Sequence, residues 1–126
     1  MELNVTTEIL TVEEARRRLE EVRPHVELIM DIAHEAEELQ NSGGTNEGPA
    51  PETAARLDAL QAEFISHTKA MNELGAVLKD AMTGLIDFYA WREDEMVLLC
   101  WRHGEESIEY WHSLEGGFSG RQVIDF

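Results

Sequence analysis

The chain has 126 residues, 43% of them hydrophobic, which is enough for one core and too little for two independent ones. Its 26 acidic residues face only 10 basic ones, giving a net charge of -16; a surface this acidic repels phosphate backbones and anionic headgroups, so neither nucleic acid nor a membrane is expected as a partner. One cysteine excludes an internal disulfide, the first residues lack a basic region before an apolar run, and no apolar stretch of about 18 residues occurs, which together predict a soluble cytoplasmic protein.

Thr11 and Glu14 in "TVEEA" have capping-box spacing and predict a helix start. From there Val12, Ala15, Leu19, Val22, Val26, Ile29, Ala33 and Ala36 recur three and four apart, one stripe of a long helix ending near Leu39 or Gln40. Pro24 lacks an amide donor and predicts a kink near Glu20 to Pro24, with the apolar phase preserved beyond it. On the same helix Arg16, Arg17 and Arg18 alternate with Glu13, Glu14, Glu20 and Glu21, which reads as solvated ion pairs on the outer face.

"NSGGTNEGPAP", residues 41–51, offers no apolar surface and reads as a flexible linker. A second helix is predicted from Pro51 or Glu52 to about Asp80, with Leu57, Leu60, Phe64, His67, Met71, Leu74 and Leu78 on its apolar stripe. From Gly84 the pattern changes to short aromatic and branched runs, "LIDFYAW", "EMVLLCWR" and "SIEYWHS", separated by "REDE" and "HGEE". These are the strands and turns of an antiparallel meander, with "QVIDF" as a last short strand.

The expected fold class is therefore α+β: a long antiparallel helical hairpin followed by a small antiparallel β-meander. The expected domain organisation is a single domain over residues 1–126, the hairpin at about 11–80 and the sheet at about 84–126. Helices this long span on the order of 40 Å, more than three short strands cover, so the leftover apolar length predicts a homodimer through the helical hairpin.

The series "LGAVLKD", "TGLIDF", "LLCWRHGEESIEYWH" and "GGFSGR" resembles, in this order and over nearly the whole chain, the small prokaryotic proteins of domain of unknown function family 2203. The resemblance implies a helical hairpin before the shared tail and carries no established activity. Tyr89 stands where a proline commonly follows the "DF" pair in that family, and Ser119 stands where alanine is common. His25, His34 and His67 match no motif of it.

The polar residues inside the shared motifs are Lys79, Asp80, Asp87, Arg102, Glu105, His112 and Arg121, with Cys100 beside them. Burial of tryptophan area explains the aromatic residues of "LCWRHGEESIEYWH" but not the charged ones among them. Asp87, Arg102, Glu105, His112 and Arg121 are accordingly the candidate ligand-binding residues, and Asp87 with His112 the candidate metal ligands for a divalent ion. If "REDE" is a tight turn, Asp87 lies opposite Cys100, while the placement of His112 depends on the loop at "HGEES". The competing structural reading pairs Asp87 with Arg102, makes Glu105 a turn cap and bonds His112 to a carbonyl.

Cys100 after "VLL" reads as an inert buried residue rather than a nucleophile based by His112. On the helices, Glu63 with His67 and His34 with Glu38 are four apart, not the three of diiron bundles. A turn centred in the linker would set His25 and His67 at similar height, so that a dimer could gather four imidazoles, but the favoured reading is a solvated His25 and a hydrogen-bonded core His67 rather than a site. Three functions follow: binding of a small ligand or ion on the polar sheet face, protein interaction through the acidic hairpin, or an enzyme using His112 with Asp87 or Glu105 as acid and base.

Overall fold

A computed structural model of the chain describes residues 8–42, 48 and 50–126. The fold is α+β, with β1 at Ile9–Leu10, α1 at Val12–Ser42, α2 at Pro51–Glu73, β2 at Ala76–Asp80, β3 at Leu85–Arg92, β4 at Glu95–Arg102, β5 at Tyr110–Ser113 and β6 at Gln122–Val123. A 3-10 turn at Phe118–Gly120 precedes β6.

The capping box forms as its spacing predicts. Thr11 Oγ1 accepts from the Glu14 amide at 3.0 Å, and Glu14 Oε1 accepts from the Thr11 amide at 2.9 Å. α1 then runs unbroken through Pro24. Ala15, Leu19, Val22, Val26 and Ile29 on its stripe are buried. The two helices lie side by side in opposite directions: His25 of α1 meets His67 of α2, and Glu35 of α1 accepts from Arg56 of α2. Of the linker expected at 41–51, residues 43–47 and 49 lie outside the described residues.

The second helix is shorter than its apolar spacing predicts. It stops at Glu73, where the Leu74 amide bonds the Met71 carbonyl and Gly75 takes a φ of 91°. Leu78, counted on the helical stripe, instead stands in β2, together with Lys79 and Asp80. The ambiguity is physical. In "AVLKD" the apolar residues fit a helix turn and a short strand equally well, and the glycine before it decides.

The sheet also differs from the expected meander, because it has six strands and is mixed. The order is β1-β3-β4-β5-β6, and β2 also pairs with β3. β1 runs parallel to β3, with Ile9 opposite Tyr89, while β2 runs antiparallel along an earlier stretch of the same edge, with Ala76 opposite Phe88. Arg18 ties this corner together, donating to Glu8 at 2.6 Å and to the Leu74 carbonyl at 3.0 Å. Arg16 likewise donates to the Ile108 carbonyl at 2.9 Å, so these arginines anchor loops rather than only forming solvated pairs along α1.

The "REDE" turn is as tight as expected: Arg92 pairs with Glu95, and Glu93 takes a positive φ of 56°. This register sets the faces. Ile86, Phe88, Ala90, Val97, Leu99, Trp101 and Trp111 join the buried helix stripe in one core cluster. Their neighbours along each strand, among them Asp87, Leu98, Cys100, Tyr110 and His112, stand on the other face, away from the helices. Gly84 sits where the chain enters β3 against α1; a Cβ there would stand 2.7 Å from Met30 Sδ and 2.8 Å from His103 Cβ.

Candidate functional site

Asp87 on β3 pairs directly with Cys100 on β4, and His112 on β5 pairs with Leu98, one residue pair along the same face. Three consecutive strands thus bring an acid, a thiol and an imidazole together by register alone. One ligand atom from each lies within 4.8 Å of the other two. All three are buried: Asp87 is 2% exposed, Cys100 1% and His112 3%. The chain beyond β5 folds back at this point, so that a Cβ on Gly116 would stand 3.7 Å from His112 Cβ.

His112 Nδ1 lies 2.7 Å from the Ser113 carbonyl, which can only accept, so Nδ1 carries a proton. Its Nε2 faces Asp87 Oδ1 at 3.2 Å. That contact needs one proton between the two groups, held either by the ring against a carboxylate or by the carboxyl against a neutral ring. Burial raises the pKa of Asp87 above the ordinary carboxylate value, opposed by His112, Lys79 and a hydrogen bond from Cys100. Burial also pushes the Cys100 thiol up to about 12, reinforced by the negative charge of Asp87. A thiol held this far from ionisation is no nucleophile by itself.

A second polar group forms at the end of β4. Glu105 accepts from Arg121 Nη2 with both carboxylate oxygens at 2.7 Å, and its Oε1 accepts from the Arg102 amide at 3.0 Å. Arg121 lies over the rings of Tyr110 at 4.1 Å and Phe118 at 4.5 Å, and its Nη2 reaches the Cys100 carbonyl at 3.5 Å. Arg102 is exposed, with its guanidinium over Phe118 at 5.1 Å. Glu105 therefore caps the turn as the structural reading has it, while the Asp87 to Arg102 pair does not form.

The five candidate residues consequently fall into two groups, Asp87 with His112 and Glu105 with Arg121, and Arg102 joins the second only through its backbone and Phe118. The residue that sequence reasoning set aside is Cys100. The signal was available in the Asp87 to Cys100 pairing predicted from the tight turn; a strand that puts a carboxylate opposite a thiol offers two ligand types on one face.

Chemically this is an enclosed, three-donor cluster of mixed softness on the sheet face turned away from the helices, in a small α+β protein, and its donors could hold a metal ion. The chain belongs to the family described as "Uncharacterized conserved protein (DUF2203)", whose model matches residues 8–124. No curated protein and no solved structure matches it. Among the described residues, no helix is long and apolar enough to cross a membrane.

Proposed function

We propose that this protein binds a divalent transition-metal ion of the zinc class, with Asp87, Cys100 and His112 as ligands and one position left for water or a small ligand. The observation that carries the reading is the orientation of His112. With Nδ1 bonded to a backbone carbonyl, Nε2 is the ring nitrogen left facing the carboxylate and the thiol, the arrangement that outer hydrogen bonds impose on metal-ligating histidines, and an ion would take the place of the proton shared with Asp87. The donor set of imidazole, thiolate and carboxylate suits zinc better than magnesium or calcium.

Magnitudes are compatible with this. Holding the thiol at about 12 instead of 9.0 makes ionisation harder by about 4 kcal/mol, against apparent zinc affinities of about 10–16 kcal/mol in structural sites. Ligand atoms up to 4.8 Å apart must close by about 1 Å to meet a zinc ion tetrahedrally, a side-chain movement. Full burial supports an ion over an organic substrate, and so ranks binding above acid and base work by His112. Anion capture by Arg102 and Arg121 has less support, since Glu105 already occupies Arg121.

The test is cobalt substitution of metal-free protein under reducing conditions. A thiolate charge-transfer band that appears with one cobalt per chain and disappears in Cys100→Ser supports the reading. Wild-type protein that takes up neither cobalt nor zinc after chelation and refolding refutes it.

A second reading concerns the helices. Ile32 and Leu60 are buried yet stand outside the cluster that joins helices and sheet, and they line an apolar groove with Ala33, Ala36, Leu57 and Phe64. Leu28 and Ile65 add exposed apolar area, at 45% and 58% exposure. This supports an interaction role for the acidic helical pair, with a homodimer as its simplest form. Light scattering checks it: a dimer that Leu28→Glu with Ile65→Glu converts to monomer agrees, and a wild-type monomer at about 100 μM does not.

A further inference from the structure

A second pair of histidines faces across the helices, far from the sheet cluster in sequence and on other elements. His25 Nδ1 of α1 lies 2.9 Å from His67 Nδ1 of α2, with ring centroids 5.1 Å apart and planes inclined at 51°. Both residues are half-buried, so the pair is held by packing and still reachable from water. We propose that His25 and His67 form a two-imidazole chelate for a borderline divalent cation such as nickel, copper or zinc, clamping α1 to α2.

The spacing is the argument. Two imidazole nitrogens bound to one such ion at about 2.0–2.1 Å stand about 2.8 Å apart at a right angle and about 3.4 Å apart in a tetrahedron. The observed 2.9 Å falls inside that interval, so exchange of the shared proton for an ion requires the rings to turn toward a common point, with no shift of either helix axis. One ring now donates its Nδ1 proton to the other. On chelation that proton moves to Nε2 of the same ring, and both Nδ1 lone pairs face the ion with no net proton released. Glu21 and Glu63, exposed one turn before each histidine, add negative charge on the same helix faces. Water completes the coordination.

Because the ligands come from both helices, the ion binds only where the helices are docked, and binding stabilises the docked form by mass action. This site does not depend on the sheet cluster. Nickel chloride is the probe, with full-length wild type, His25→Gln and His67→Gln compared by equilibrium dialysis and thermal unfolding. Each substitution should remove one nickel equivalent and lower the affinity of the helix site by on the order of 100-fold, the loss expected when a two-armed contact becomes one-armed. If nickel also occupies the sheet, wild type binds two and each variant one; if not, wild type binds one and each variant none. A nickel count and melting shift that neither substitution changes, or no nickel bound to wild type, overturns the proposal. Should a variant fail to fold, copper added to wild type in steps up to about two equivalents decides through proton resonance, whether or not the sheet also takes one: joint broadening of the His25 and His67 ring signals supports the chelate, and signals of these two rings that stay sharp throughout refute it.

Discussion

Alkaline pH should destabilise this protein through Cys100. In the unfolded chain the thiol ionises near its ordinary 9.0, while in the folded chain burial beside Asp87 delays ionisation to about 12. A group whose folded pKa lies above its unfolded value contributes all its stability below the unfolded pKa and loses it as pH rises toward the folded one. The window is therefore pH 9.0 to about 12. Each pH unit inside it removes about 1.4 kcal/mol, so about 2 kcal/mol has gone by about pH 10.5. That is a large part of the 5–15 kcal/mol that an ordinary domain holds, roughly speaking. Urea unfolding followed by tryptophan fluorescence at about pH 8 and about pH 10.5, on metal-free reduced protein, measures it against Cys100→Ala. Every ionisable group other than Cys100 is common to the two proteins and cancels in the difference. The stability gap between wild type and Cys100→Ala should move by about 2 kcal/mol in favour of the variant at the higher pH. A gap that stays constant refutes the burial argument for this thiol.

Thr11→Ala removes one half of the capping box and should cost about 1 kcal/mol, read as a lower thermal midpoint. Gly84→Ala places a Cβ at 2.7 Å from Met30 Sδ on a residue with a φ of 72°, and should cost more than about 2 kcal/mol in urea unfolding. Gly104→Ala, with a φ of 107° but nothing within 4 Å, should cost only about 1 kcal/mol from backbone strain and so separates the clash from the dihedral. Glu105→Gln weakens the contact to Arg121, whose side chain is 12% exposed, and should cost about 1–2 kcal/mol; faster amide exchange at Arg121–Ile124 is its local signature.

The helix starts were legible because their signals are local. A hydroxyl and a carboxylate three apart report a capping box wherever it occurs, and Pro51 marks the next start in the same way. The end of α2 was not, because Leu74 and Leu78 continue a helical spacing that the chain abandons at Gly75. β1 was missed for a different reason. Ile9 and Leu10 are too few to show any period, and only pairing with Tyr89 and Ala90, far along the chain, makes them a strand. Within the sheet, the "REDE" turn carried the register of β3 on β4, and with it the meeting of Asp87 and Cys100. The position of His112 needed the longer loop between β4 and β5, whose course depends on Trp101 Nε1 donating to the Glu105 carbonyl and on Arg16 holding the Ile108 carbonyl, contacts no local pattern announces.

The charge of the chain bears on how selective the proposed sheet centre would be. With 26 acidic residues against 10 basic, the surface draws every divalent cation, and exposed carboxylates hold magnesium and calcium weakly through water. The sheet cluster differs in kind, since two of its three donors are imidazole and thiol and all three are enclosed. Hard cations gain little from sulfur and nitrogen and dehydrate reluctantly, whereas borderline ions gain from both donors. On this reading the acidic surface concentrates ions and the buried donors choose among them. Millimolar magnesium would then screen the surface without displacing zinc from Asp87, Cys100 and His112, and competition by magnesium for that ion would show that the bound metal sits on the surface instead.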